Sequence, residues 1–212
     1  MVMRVMGLIG GVASGKSEVA RMLEARGAKR IDADQLGHQA LVQREIRDAL
    51  VDRFGRQILD RSGVIDRTVL GQMVFGPSDQ AKRNRHQLEE IVHPWIRHQA
   101  IERLEALRKQ ESGAPPLALL DAPLLLEAGW RPLCDWVVFL ETPRERRMAF
   151  ATKRGWTPLE WEQREASQLP LEQKREHATH ILQNDSDLVH LEKQIDQHWP
   201  LWTSRWIPGD QA

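Results

Sequence analysis

The chain of 212 residues carries 30 Lys and Arg against 30 Asp and Glu, so its formal net charge is zero, and 41% of its residues are hydrophobic. That balance argues against a protein that works mainly by coating nucleic acid, which needs a cationic surplus, and against a disordered chain. A single cysteine, Cys134, excludes an internal disulfide and a multi-cysteine zinc site, and no apolar run approaches the roughly 20 residues of a membrane span.

Met1 to Met6 lead directly into a glycine-rich turn without the architecture of a cleavable signal, so a soluble, cytoplasmic protein is expected. Val2 to Ile9 is a short, mostly apolar run followed by Gly10 and Gly11, the pattern of a buried strand. Lys16 to Arg26 places Val19, Ala20, Met22 and Leu23 at helical spacing, with Gly27 as the stop. A second strand is predicted over Ala28 to Ile31, then a helical stretch from Gln35 through Phe54. Gly55, Gly63 and Gly76-Pro77 punctuate the next section, which holds a helix around Arg67 to Phe75. Gln80 to Gln110 reads as one long amphipathic helix, bent or interrupted near Pro94.

Leu117 to Leu120, ending in Asp121, and Trp136 to Leu140 read as central strands, and Ala178 to Leu182 as another. Strands alternating with helices predict an α/β fold, a parallel sheet covered on both faces. Arg144 to Arg175 is rich in Arg, Glu and Gln. It reads equally well as a solvated helical hairpin or as a lid that brings arginines to a phosphate. Trp199, Trp202 and Trp206 mark a helix end and tail that need a partner surface, either the chain's own core or another subunit. Cys134 reads as a small buried hydrophobe.

Gly10-Gly11-Val12-Ala13-Ser14-Gly15-Lys16-Ser17 satisfies G-x-x-x-x-G-K-[ST] between a predicted strand and a predicted helix. Glycines let backbone N–H groups approach phosphate oxygens, and the helix N-terminus adds further donors and positive dipole. Lys16 can reach the β- and γ-phosphates, and the Ser17 hydroxyl can complete a Mg²⁺ shell. The segment predicts a nucleoside triphosphate site. Asp32 and Asp34 follow the second strand, where ligands of an open α/β sheet bind. Asp34 is the candidate to accept a hydroxyl proton during phosphoryl transfer, while Asp32 reads better as a helix cap. Asp121, ending an apolar strand, has Walker-B character and aims at a metal's hydration shell. His93 either fills a polar gap beside Pro94 or faces substrate, and Glu127 either contacts substrate or caps a helix.

In chain order these segments resemble the dephospho-CoA kinase family over nearly the whole length. Gly7 to Ser17 looks like its phosphate loop, and Ile31-Asp32-Ala33-Asp34 is similar to its acidic pair. Gly63-Val64-Ile65-Asp66-Arg67, Val74-Phe75 and Leu88 to Pro94 resemble its elements before and within the long helix. Asp121-Ala122-Pro123-Leu124-Leu125-Leu126-Glu127 resembles its Asp-x-Pro-Leu-Leu-x-Glu segment. Arg164 with Gln168, and Ile181 to Asn184, are similar to a lid Arg-x-x-x-Gln and a late strand ending in Asn. The chain departs at Ile9, Ala13, Glu18 and His38, where threonine, glycine, threonine and arginine are common. An alanine at 13 is expected to fit only with negative φ.

The resemblance implies a P-loop kinase fold: a parallel five-stranded sheet flanked by helices, with a helical substrate region and a helical lid. It implies one domain, with a core of about 1–34, 115–142 and 176–200, a substrate region of about 35–114 and a lid of about 143–175. It implies ATP-dependent phosphorylation of the ribose 3′-hydroxyl of dephospho-CoA, with Mg²⁺. Asp34, Lys16 and Arg147 are the implied catalytic groups. Gly11, Val12, Ala13, Ser14, Gly15, Lys16, Ser17 and Glu18 are expected to hold ATP, and Ser17 and Asp121 the metal. Asp34, His38, His93, Glu127, Arg154 and Arg164 are expected to contact the acceptor. Arg144, Arg146, Arg147 and Arg154 compete as the leading lid arginine, with Arg147 and Arg154 favoured. The expected partner is the small-molecule acceptor, without nucleic acid or membrane, for a monomer or small homo-oligomer. Another small-metabolite or nucleoside-monophosphate-type kinase is the alternative, and a non-catalytic nucleotide-gated switch a second.

Overall fold

The computed structural model describes residues 3–76, 78–110 and 116–204. Trp206, Pro77 and positions 111–115 of the expected segments lie outside the described residues. The chain divides into two units: one runs up to Asp32 and resumes at Arg103, the other is Ala33–Glu102.

Five strands belong to the first unit: β1 Arg4–Gly10, β2 Lys29–Asp32, β3 Leu117–Asp121, β4 Trp136–Glu141 and β5 His180–Gln183. They pair in the order β2-β3-β1-β4-β5, every pair parallel. Every residue of β3 is buried, as are all of β1 but Arg4, because helices cover both faces of a parallel sheet. Hence these strands read as continuous apolar runs rather than alternating ones.

The helices among the described residues run α1 Lys16–Ala25, α2 Ala33–Ala40, α3 Arg44–Phe54, α4 Arg67–Val74 and α5 Asp79–Arg108. They continue with α6 Arg144–Lys153, α7 Pro158–Ala166, α8 Leu171–Glu176 and α9 Leu188–Trp202. The main core joins Met6, Leu8, Leu119, Val138, Leu140 and Leu182 of the sheet to Val19, Met22 and Leu23 of α1 and Leu191 and Ile195 of α9. Trp202 is fully buried in that core, so the tryptophan-rich helix end covers its own sheet. A second cluster joins Val12 and Ala13 to Ala151 and Trp161.

Three expected boundaries differ. The stretch Gln35 to Phe54 is two helices, because Gln43 N donates to Ala40 O at 3.0 Å and Gln43, in extended conformation, opens α3. Helix α5 runs through Pro94 without interruption, although a proline cannot donate the i→i−4 hydrogen bond at its position. Residues 144–175 form three helices, one started by Thr157, whose hydroxyl accepts from Glu160 N while the Glu160 carboxylate accepts from Thr157 N. In the second unit Asp66 caps α4 by accepting from Thr68 N at 2.9 Å and Val69 N at 3.1 Å.

Candidate active site

Residues 11–15 connect the carboxyl end of β1 to α1. Gly15 lies at φ 97°, and a Cβ there would sit 2.9 Å from Asn184 Nδ2. A Cβ at Gly11 would meet Arg147 Nη1 at 2.8 Å. At Gly10, the first glycine of the motif, a Cβ would sit 2.9 Å from both Leu140 O and Ser14 Oγ, so packing as well as phosphate access favours glycine at both ends of the G-x-x-x-x-G spacing. Ala13 corrects the expectation for its position: its φ is +60°, left-handed, and it is the one non-glycine residue with positive φ among the described residues. Such a conformation costs an L-residue roughly 1–2 kcal/mol. Ser14 N donates to Gly11 O at 3.2 Å and closes the turn. The amides of Val12, Ala13 and Gly15 donate to no acceptor among the described residues, an array of donors suited to an anion. Lys16 Nζ donates to Gly11 O at 3.1 Å and to Gly10 O at 3.4 Å, so the ammonium lies across its own loop.

Arg147, on the first turn of α6, is buried against this loop. Its Nε donates to Thr142 O at 3.1 Å, Nη1 pairs with Glu165 of α7, and its guanidinium lies 5.2 Å from the Trp161 ring centre. Burial and then nearby Arg144 pull its pKa below the ordinary value, Glu145 opposing, but an arginine stays charged at neutral pH. Trp161 Nε1 donates to Val12 O at 3.2 Å. A solvated hairpin does not bury an arginine and a tryptophan in this way. Gly11, Leu140, Thr142, Arg147, Leu171 and Arg175 line a cleft of about 160 Å³.

Across the sheet, Asp32 and Asp121 are register partners at the carboxyl ends of β2 and β3. Two carboxylates facing each other repel, and Arg30 bridges them, with Nη2 2.5 Å from Asp121 Oδ2 and 3.1 Å from Asp32 Oδ2. Asp121 is buried, Ser17 is exposed, and Glu18 pairs with Arg21 one turn along α1. Glu127 Oε1 accepts from Leu169 N at 2.9 Å and lies 3.3 Å from Lys174 Nζ. Lys174 is buried and also donates to Gln168 Oε1 at 2.7 Å; burial pushes its pKa down, while Glu127 opposes. Arg154 and Arg164 are brought together: their guanidiniums lie 5.6 and 4.4 Å from the Trp156 ring centre.

In the second unit Asp34 is exposed in the first turn of α2. On the same helix His38 Nε2 lies 2.7 Å from Arg67 Nη2. The guanidinium can only donate, so this ring nitrogen is the acceptor of the pair. His93, half-buried on α5, has its pKa lowered by burial, with Glu89 opposing and Arg85 adding to the drop.

Trp161, Thr142, Glu165, Arg30 and Lys174 were not singled out as site residues by sequence. Trp161 lies 149 positions from Val12 and Lys174 47 from Glu127, and no local spacing connects residues so far apart. The signal available was weak: an aromatic or a lysine in an otherwise polar helix.

A family model described as dephospho-CoA kinase matches residues 4–190. The dephospho-CoA kinase of Geobacter sulfurreducens is 40% identical over 200 residues, covering 93% of this chain and 98% of that protein. Among solved structures, TT1252 from Thermus thermophilus superposes with a TM-score of 0.76 at 30% identity, over 95% of this chain and 98% of that one. A dephospho-CoA kinase from Campylobacter jejuni shares the fold, with a TM-score of 0.66 at 24% identity over 92% and 96% of the two chains. The sheet order, the loop after β1 and these matches agree: this is a P-loop kinase fold, and the chain belongs to the dephospho-CoA kinase family.

Proposed function

We propose that this chain transfers the γ-phosphoryl group of ATP to the ribose 3′-hydroxyl of dephospho-CoA, giving coenzyme A and ADP. The observation that carries the reading is the family match over residues 4–190, which includes the donor-lined loop before α1. Phosphoryl transfer leaves little covalent work to protein groups, so positioning and charge stabilisation dominate. Val12, Ala13, Ser14, Gly15 and the start of α1 cradle the phosphates, and Lys16 neutralises charge as it moves to the leaving oxygen. Arg147, already against Gly11, turns from Glu165 toward the transferred phosphoryl group. Asp34 orients or deprotonates the acceptor hydroxyl.

Among the described residues no three His, Cys, Asp or Glu side chains are grouped to hold a metal. This suits Mg²⁺, which takes one or two protein ligands and completes its shell with phosphates and water. Ser17 and Asp121 are the residues that would hold it, with the Arg30 guanidinium already paired to the Asp121 carboxylate. When bound, Mg²⁺ neutralises charge on the β- and γ-phosphates. The acceptor is gripped by His38, His93, Arg154 and Arg164, with Glu127 reaching it from the base of the 143–175 segment, which acts as a lid. No helix among the described residues is long and apolar enough to cross a membrane, and a cytoplasmic enzyme is the reading that suits the substrate. A kinase acting on another small metabolite is not favoured, since the family match spans most of the chain.

The test is ADP release from ATP and Mg²⁺ with and without dephospho-CoA. Strong dependence on that acceptor is expected, and equal release without it overturns the reading. In the same assay Asp34→Asn is expected to lower kcat by roughly 10²–10⁴-fold with ATP affinity retained. Collapse of ATP binding instead would make Asp34 a metal or structural residue.

A further inference from the structure

Three side chains remote in sequence donate to carbonyls of the phosphate loop. Trp161 Nε1 donates to Val12 O at 3.2 Å, while Thr142 Oγ1 at 2.9 Å and Asn184 Nδ2 at 2.8 Å both donate to Ser14 O. Ser14 O can only accept, which fixes the Asn184 amide with its nitrogen toward the loop. All three donors are buried. A peptide unit is planar and trans, so its C=O and N–H point in opposite directions. Holding the Val12 carbonyl fixes the N–H of Ala13, and holding the Ser14 carbonyl fixes the N–H of Gly15. These two amides are among those that donate to no acceptor among the described residues. The first of them belongs to Ala13, whose φ of +60° is a conformation an alanine leaves when nothing restrains it.

We propose that Trp161, Thr142 and Asn184 are positioning residues that clamp the Val12 and Ser14 carbonyls outward. They thereby hold the Ala13 and Gly15 amides toward the phosphates of ATP against the left-handed strain at Ala13. The inference rests on the reading of this loop as the ATP site. It goes further in making ATP affinity depend on α7, because Trp161 carries the Val12 clamp and belongs to the same buried cluster as Ala13. The Arg147 guanidinium rests on the same indole, and its Nε donates to Thr142 O, so the clamp and the lid arginine share one frame.

The test is a double-mutant cycle read by calorimetric titration with ATP and Mg²⁺, together with KM and kcat. Trp161→Phe keeps an aromatic ring and removes the donor; Thr142→Val keeps the shape and removes the hydroxyl. Each is expected to weaken ATP binding roughly fivefold, the worth of one hydrogen bond, raising KM for ATP while KM for dephospho-CoA stays within about twofold. Glycine adopts positive φ about as readily as negative. In an Ala13→Gly background, therefore, the weakening caused by Trp161→Phe or Thr142→Val is expected to shrink by at least half. Equal weakening in both backgrounds, no weakening in either, or parallel rises in both KM values overturns the proposal. Should Trp161→Phe fail to fold, Thr142→Val carries the cycle alone. Failure of the unmodified chain to bind ATP would sink the phosphate-loop reading itself, whereas normal binding with no coupling sinks only the clamp.

Discussion

The two ends of the parallel sheet are built from opposite chemistry. The buried polar or charged residues described are Ser14, Asp121, Thr142, Arg147, Lys174 and Asn184. Five lie at or just beyond the carboxyl ends of β1, β3 and β4, or directly after β5, and Lys174 pairs with Glu127 in the segment that follows β3. At the amino end, the rings of Trp136, His180, His198 and Trp202 meet edge-on or stacked, with centroids 5.2–5.8 Å apart. Both ends place an arginine over a tryptophan, Arg147 on Trp161 and Arg4 on Trp136. Only the first is buried and lies against a loop in which three amides meet no acceptor among the described residues. Burying a polar group is costly unless its partners are supplied. The concentration of such groups at one end marks where the fold tolerates that cost, and ligands of α/β sheets bind at that end.

The sharpest break between the ends is expected from Lys16→Ala. Its turnover should fall by roughly three orders of magnitude, about 4 kcal/mol of transition-state stabilisation, with an unchanged thermal midpoint. Near-normal kcat in a steady-state assay would remove the carboxyl end from the chemistry. Trp202→Ala is the complementary change at the amino end. It should cost about 3 kcal/mol of stability by cavity formation, measured by urea unfolding, while KM for both substrates holds at a temperature where the variant stays folded. A specific rise in KM for ATP would mean that the ends are coupled.

Glu127→Gln tests whether the buried charges at the carboxyl end also support the fold. The amide oxygen still accepts from Leu169 N, but Lys174, buried and held charged partly by Glu127, loses its counter-ion. The expected loss is about 2 kcal/mol, typical of a hydrogen bond to a charged group. Unfolding at neutral pH measures it, and Lys174→Met in the Glu127→Gln background should recover part of it, because two neutral partners replace an unpaired charge.

The fold was legible where burial imposed a continuous apolar run: β1, β3 and β4 are each within a residue or two of their predicted bounds. The phosphate loop was legible because its chemistry is local, since glycine, lysine and serine must occur at fixed spacing before a helix. The bonds that hold the loop were not legible. Thr142, Trp161 and Asn184 are separated from Val12 and Ser14 by 128 to 170 positions, and a polar residue just past a strand gives no sign of which carbonyl it will meet. Ala13 shows the same limit from the other side. Local propensity favours negative φ for alanine, yet Ala13, buried in one cluster with Trp161 and Ala151, is left-handed, so the tertiary setting overrides propensity.

The smallest expected effect sits at the amino end and depends on pH. His180 makes edge contacts with Trp136, His198 and Trp202, and burial first, then His198, lower its pKa. A histidine whose folded-state pKa is depressed binds its proton more weakly when folded than when unfolded. Its neutral form therefore contributes stability above the unfolded value of about 6.5, and that contribution is lost as pH falls through the lowered folded value. His93 acts in the same direction from the other unit, so acid loss in the unmodified chain reports both histidines. His180→Gln isolates one of them, because glutamine stays neutral throughout. The unfolding free energy of the variant should fall less steeply than that of the unmodified chain between about pH 7 and pH 5, with the two curves parallel above pH 7. Parallel curves across the whole range would mean that the ring cluster accepts the imidazolium as readily as water does, and the amino end would no longer count as the apolar counterpart of the phosphate loop.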